Sequence, residues 1–344
     1  MDREALRMVR SPEFWRMAVL WTLFLLYSYL LLFLRGRTAV PRRRRPGPCA
    51  GGEGEGEGRR PICVVTGATS GLGKAAAAAL AREGYHVVLA GRSTQLLSET
   101  VQEIRRQQPD AHLEAFHVDL ASYKSIKKFG TLLKQWIQET NSVPDIQLLV
   151  NNAGMLAKSH RITEDGFDDP VPSRVVNLTS FTHRCVSGID VSEDALRGMK
   201  LGQCSVGKSY PLASTYEYTK LCLLLFSYEL HRQLHTSSVS VMAADPGVVE
   251  TNIMRELPPC LSWFAFFVLR FLNLLQQTDS GVGAVLDAAL APPGASGKYF
   301  FGGKGRTIRP SGLSYDVEVA KKLWAESSML FKELQLRGRD LGTN

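Results

Sequence analysis

Two short patterns in this chain carry chemistry. Thr66-Gly67-Ala68-Thr69-Ser70-Gly71-Leu72-Gly73 follows a β-branched run and opens a helical one, the context in which a glycine turn binds a dinucleotide. Gly67 permits the tight turn, Gly71 lets the backbone approach a pyrophosphate, and Gly73 allows close helix packing, while the helix N-terminus faces the phosphates. Tyr216-Glu217-Tyr218-Thr219-Lys220 puts a phenol and an amine four residues apart, on one face of a helix. A dinucleotide site and an activated phenol in one chain imply carbonyl or alcohol redox chemistry, because a proton must move as hydride moves to or from carbon.

The flanking pattern supplies the elements that must hold these groups. Short runs at Ile62–Val65, His86–Leu89, His112–Val118, Gln147–Val150, Arg174–Leu178 and Ser238–Met242 read as strands. Lys74–Glu83, Ser93–Gln107, Ser122–Thr140 and Tyr216–Leu234 read as helices. Such alternation predicts an α/β fold, a Rossmann-like doubly wound parallel sheet covered on both faces. The second strand ends Ala90-Gly91-Arg92, where an NAD site places a carboxylate against the ribose hydroxyls. An arginine there suits the extra phosphate of NADP(H), the bland alternative being a lone surface Arg. Asp119, just after the third strand, is either an adenine contact or a helix cap.

The net charge of +8 is unevenly placed, since residues 1–60 hold twelve Arg against six Asp and Glu. No basic stripe interleaved with aromatics lies in the remainder, so the charge does not indicate nucleic-acid binding. It brackets Met17–Leu34, eighteen residues without a charge, which at about 1.5 Å per residue extend roughly 27 Å, enough for a bilayer core. Arg35-Gly36-Arg37 follows where a signal peptide would carry small residues. The run is expected to be an uncleaved single-pass transmembrane helix, with the arginine excess after it placing the following domain on the cytosolic side. Arg42 to Arg45 and the Gly51–Gly58 repeat read as a flexible tether, with the arginines at anionic headgroups. The chain thus divides into an anchor and linker over 1–60, a domain over 61–336 and a tail over 337–344. Cys49, Cys63, Cys185, Cys204, Cys222 and Cys260 show neither paired nor metal-like spacing, which fits a reduced compartment and no metal site.

From Pro61 to about Leu336 the chain resembles the short-chain dehydrogenases/reductases. The resemblance rests on the glycine turn, Asp119-Leu120, Asn151-Asn152-Ala153-Gly154, Val176-Asn177-Leu178-Thr179-Ser180, the Tyr216–Lys220 motif and Asp245-Pro246-Gly247. The apolar N-terminal run and Arg174–Arg184 look most like the membrane-attached, retinol-dehydrogenase-like branch, and within it the chain is similar to plant oxidoreductases of the forever-young type. The resemblance implies that Tyr216 is the general acid in reduction and the base in oxidation. Lys220 would bind the nicotinamide ribose, and its ammonium is expected to bring the phenol's pKa down from about 10. Ser180 would hydrogen-bond the substrate oxygen as charge develops. Pro246 and Gly247 would hold the nicotinamide face, with Thr251 near the phosphates and Asn151 against the ribose or bridging the sheet. Among organelles the endoplasmic reticulum is the expected membrane, although the sequence does not itself name it.

Two further stretches bear on the substrate. Leu261–Leu275, strongly apolar, would form the substrate lid in this family, which suggests a lipophilic substrate or a membrane-dipping helix, a packed core helix being the alternative. The sequon at Asn177 falls in a predicted central strand and is discounted, and His183 reads as a loop residue.

One departure stands out. Met155–Ser173, nineteen residues, must make the whole crossover between the fourth and fifth strands. The beginning of a helix at Thr163 stops at Asp168-Asp169-Pro170. A helix crossing the sheet takes about thirteen residues beyond its loops, so the family's long helix, with its proton-relay asparagine and its usual dimer contacts, has no counterpart here. One sheet face is expected to lose cover. The function implied is a membrane-anchored NADP(H)-dependent oxidoreductase acting on a hydrophobic alcohol or carbonyl compound; the alternative is an impaired variant that binds nucleotide and serves as a tethered interaction protein.

Overall fold

The computed structural model describes residues 9–35, 39–42, 60–140, 146–154, 173–192, 196, 212–234, 239–251 and 259–340. Helix α1 (Pro12–Arg35) precedes β1 (Ile62–Thr66), α2 (Gly71–Arg82), β2 (His86–Gly91), α3 (Thr94–Gln107), β3 (Leu113–His117), α4 (Tyr123–Glu139) and β4 (Ile146–Asn151). Then come β5 (Arg174–Leu178), a 3-10 turn (Phe181–Cys185), α5 (Leu212–Gln233), β6 (Ser240–Asp245), β7 (Val248–Val249) and α6 (Pro259–Phe271). The chain continues through β8 (Leu275–Gln276), α7 (Thr278–Ala289), β9 (Tyr299–Phe301) and α8 (Val317–Asp340).

Seven strands pair in the order β3-β2-β1-β4-β5-β6-β9, all parallel. The expected doubly wound sheet is therefore present, and strand order reverses between β1 and β4, opening a crevice at the carboxyl ends of those strands. Every residue of β1 and β6 is buried, as continuous apolar strands covered on both faces must be. On one face α2, α3 and α7 bring Ala76, Leu80, Leu97, Ile104, Val285 and Ala288 onto the sheet. On the other, Ile126, Phe129 and Leu133 of α4 meet Val64 and Val88, and Leu224 and Tyr228 of α5 join a cluster with Ala243 and Tyr299.

Several boundaries differ from expectation. The sixth strand runs later, through Ala243, Ala244 and Asp245, because full burial beside β5 and β9 overrides their weak strand preference. The boundary expected at Leu336 also moves, since α8 continues to Asp340. The crossover residues 155–172, including Asp168 to Pro170, lie outside the described residues, as do most of Asp190–Gly207 and the tether. Around the crossover, the loss of cover is partial. On β4, Ile146, Leu148 and Val150 are buried while Gln147, Leu149 and Asn151 are half-buried. Helix α8 runs along that side: Ala320 and Leu323 pack on Leu221 and Leu225 of α5, Trp324 stacks on Phe226 at 5.0 Å, and Phe331 meets Tyr123 of α4 at 6.3 Å.

The N-terminal apolar helix, the one described helix long and apolar enough to cross a membrane, lies against the catalytic domain. Met17, Leu25, Ser28 and Leu32 are buried on it, spaced by eight, three and four residues, which keeps them on one face.

Candidate active site

The glycine turn takes the shape its residues allow. Gly67 and Gly71 have φ of +65° and +51°, a left-handed conformation that glycine adopts without cost. A Cβ at Gly73 would stand 2.3 Å from both Asn152 Nδ2 and Gly67 O, so that position accepts no side chain while α2 packs this closely. Asn152 Nδ2 donates to Thr66 O at 2.9 Å and to Gly67 O at 3.2 Å. The Thr66 hydroxyl accepts from the Asn152 and Ala153 amides, each at 3.1 Å. Thr66 therefore ties β1 to β4 instead of facing a ligand.

Helices α3 and α4 are capped by the Ser93 and Ser122 side chains, which accept from Leu96 and Ser125 amides. Helix α2 differs in its cap, since Ser70 makes no side-chain cap hydrogen bond, and like the other two it has no acidic residue in its first turn. Its opening amides and partial positive charge are left for an anion. Leu72 packs with its side chain toward Gly281 of α7, leaving its backbone at the turn. Thr251 lies beside the cradle, its Cβ and Cγ2 each 3.2 Å from where a Gly71 Cβ would sit. Arg92 is exposed at the end of β2. Asp119 Oδ1 accepts from the Ala121 amide at 3.1 Å, a local turn at the head of α4. These residues fit a dinucleotide, with uncapped amides for its phosphates and a cationic side chain beyond β2.

Across the crevice, α5 presents Tyr216 and Lys220. Ser180, buried at the end of β5, caps the 3-10 turn by accepting from Thr182 N at 3.4 Å, and its side chain lies close enough to the Tyr216 hydroxyl to favour the phenolate. Lys220 Nζ stands 5.5 Å from the Tyr216 ring centre and donates to Leu178 O at 2.9 Å. Tyr218 is turned elsewhere, its hydroxyl donating to Asp190 O, which resolves the choice between the two tyrosines. The expected trio of Ser180, Tyr216 and Lys220 is brought together.

The expected lowering of the phenol's pKa is not. Burial pushes Tyr216 up, the Asp245 carboxylate adds to the rise, and only the Ser180 hydrogen bond opposes it. Lys220 gives one of its three N–H donors to a backbone carbonyl and is itself brought down to about 8 by burial, with Asp245 opposing. Asp245 was read only as part of a motif, yet it is the electrostatic centre of the site. It is fully buried, accepts from Tyr299 Oη at 2.5 Å and from Gly247 N at 2.8 Å, and is held up at about 6 mainly by burial. A carboxylate ending a strand before Pro-Gly was the available signal.

Asn151 acts as the bridge of its two expected roles: its Nδ2 donates to Asn177 Oδ1 at 2.9 Å, and Asn177 donates on to Ser227 at 2.8 Å. That interior chain also accounts for Asn177 at its sequon. His183 is fully buried in the 3-10 turn, its Nδ1 2.6 Å from Ser180 O and its Nε2 accepting from Ser311 N at 3.1 Å. A carbonyl on one nitrogen and an N–H on the other require the neutral ring protonated at Nδ1. Burial brings its pKa down to about 3, so His183 is a fixed strut beneath Ser180.

Pro246 and Gly247 lie at the crevice, with Gly247 at φ +74°. Helix α1 reaches them. A Cβ at Gly247 would be 3.4 Å from Tyr29 Oη, which accepts from Gln276 Nε2 at 2.5 Å. Trp21 lies 5.8 Å from the Tyr216 ring and donates to Glu217 Oε1 at 2.7 Å. Nothing in an uncharged run announces a partner, so sequence reasoning missed this contact.

Comparison with known proteins agrees with the geometry. Human retinol dehydrogenase 13 is 33% identical over 293 residues, covering 78% of this chain and 83% of that protein. Human polyprenol dehydrogenase is 27% identical over 298 residues, covering 77% and 83%. The crystal structure of an uncharacterized protein from Mycobacterium paratuberculosis superposes with a TM-score of 0.54 at 25% identity, over 80% of this chain and 94% of that one. The family described as short chain dehydrogenase matches residues 61–260, and with the Ser180, Tyr216 and Lys220 cluster facing an uncapped glycine turn, the chain belongs to the short-chain dehydrogenase/reductase family of oxidoreductases.

Proposed function

We propose that this protein is a membrane-attached oxidoreductase that uses NADP(H) to interconvert a hydrophobic alcohol and its carbonyl compound, with its catalytic domain on the cytosolic side of the endoplasmic reticulum. The carrying observation is the gathering of Tyr216, Lys220 5.5 Å from its ring centre, and Ser180 at the end of β5, at the same end of the sheet as the glycine turn. The Ser70–Gly73 amides would hold the pyrophosphate and Arg92 the additional phosphate, with Asp119 toward the adenine, Thr251 at the phosphates, and Pro246 and Gly247 at the nicotinamide. When bound, the cofactor supplies or accepts the hydride. Ser180 hydrogen-bonds the reacting oxygen and Tyr216 gives or takes its proton. The same phenol serves both directions, donating its proton in reduction and recovering it in oxidation. The names of the retinol and polyprenol dehydrogenases support a long apolar isoprenoid-like substrate.

The nineteen-residue crossover favours a second reading, a nucleotide-binding protein without turnover. The two are separated on the full chain in detergent by NADPH-dependent thermal stabilisation and by turnover of a retinal-like aldehyde. Saturable stabilisation is expected, together with turnover that Tyr216→Phe lowers about 100-fold or more while stabilisation persists. Stabilisation with no turnover on a broad aldehyde panel would establish the second reading, and absence of both would remove the nucleotide site.

A further inference from the structure

Helix α1 carries two opposed apolar faces. Met17, Leu25, Ser28 and Leu32 are buried on the domain, whereas Trp15, Val19, Leu23, Leu26, Leu30 and Phe33 are exposed, Phe33 at 82%. The exposed set steps by three or four residues, the buried set by eight, three and four, and the two are offset by about half a turn. Beside it lies α6: its Leu261 joins Met17, Trp21 and Ala213 in one cluster, and its Leu269 packs with Leu25 and Leu32 in another. The outer side of α6 exposes Trp263 at 68%, Phe264, Phe267 and Phe271. Two helices that share these clusters thus each turn an apolar outer face to solvent.

Both ends of α1 are fastened to the catalytic domain. Near its start, Arg16 Nη2 and Trp21 Nε1 donate to the buried Glu217 carboxylate at 3.1 and 2.7 Å. Near its end, Tyr29 accepts from Gln276, and just beyond it the Val40 amide donates to Gly305 O at 2.8 Å. Residues 16 to 35 extend about 28 Å along a helix, the thickness of a bilayer core. A helix crossing that core can keep only one end at a domain outside it, so the fastening of both ends is incompatible with spanning.

We propose that α1 and α6 together form a monotopic membrane-docking face, lying in the plane of one leaflet with the catalytic domain above it. The occupant is a phospholipid surface and not a second copy of the chain, on grounds of charge. The first sixty residues hold twelve Arg against six acidic groups. Arg10 is exposed at the head of α1, while Arg270 on α6, 69% exposed, is ion-paired with Glu250 at 2.7 Å. An apolar helix flanked in sequence by an excess of arginine and bearing exposed Trp15, beside the exposed Trp263 of α6, matches anionic headgroups over acyl chains, whereas pairing two copies would bring two arginine-rich segments together. This inference does not depend on turnover.

The test uses the full chain. An epitope fused before Met1 is expected to be digested by protease added outside intact microsomes, at the same rate as the catalytic domain; protection of that epitope by the intact membrane would overturn the in-plane arrangement. In parallel, a Trp263→Glu, Phe267→Glu variant, altered only at exposed positions, is expected to bind phosphatidylcholine/phosphatidylserine vesicles at least tenfold more weakly at unchanged melting temperature in detergent. Unchanged vesicle binding would overturn the role of α6. Vesicle-free dimers that the variant abolishes, with no vesicle binding by the parent chain, would assign the face to a second copy and overturn the proposal.

Discussion

At the scale of single residues, the site is governed by a carboxylate that neither takes nor gives the reacting proton. Asp245 raises the pKa of both Tyr216 and Lys220, so its removal moves both groups the same way. Asp245→Asn is therefore expected to shift the alkaline limb of the pH–rate profile, near 8 where Lys220 loses its proton, to lower pH. An unmoved or rising limb would contradict this account of the electrostatics. His183 supplies a separate acid sensitivity. Its folded pKa, about 3, lies below the ordinary 6.5, so its contribution is complete above pH 6.5 and is lost as pH falls toward 3. The stability advantage of the parent chain over His183→Gln should narrow across that window when urea midpoints are compared from pH 7.5 downward; a constant gap would show that the ring is not buried neutral.

At the scale of elements, legibility followed how far each segment's neighbours are local. The glycine turn, the early strands and helices α3 and α4 were readable because their signals lie within the segment: β-branched runs, glycines where φ is positive, and serines that cap the helix they precede. Helix α7 was not, since Thr278–Ala289 is rich in small residues chosen for close approach, as Gly281 shows: a Cβ there would meet Val249 at 2.4 Å. The clustering of Ser180, Tyr216 and Lys220 could be anticipated from motif order, whereas the influence of Asp245 over Lys220 required knowing how β6 ends beside α5. Helix α8 carries a consequence of its own. It bridges α5 and α4 on the side where the crossover is short, so its contacts should matter more than those of a peripheral helix. Leu323→Ala is expected to cost about 2–5 kcal/mol, as for a fully packed core leucine, measured by urea unfolding; a loss under about 1 kcal/mol would make α8 an appendage.

At the scale of the whole molecule, an uncharged run of eighteen residues satisfies a bilayer and a protein groove equally well by composition, so sequence alone could not say that α1 would rest on the domain and reach Tyr216. The same scale joins two features that look unrelated, the glycine turn and the shortened crossover. Asn152, three residues before the undescribed stretch, holds the carbonyls of Thr66 and Gly67 and fills the space that Gly73 leaves empty. The phosphate cradle is thus assembled from two chain segments, one of which is the landing point of the crossover. A substitution at Asn152 is therefore expected to weaken nucleotide binding before it alters the Ser180, Tyr216 and Lys220 cluster, so nucleotide affinity becomes the readout of how β4 meets the glycine turn.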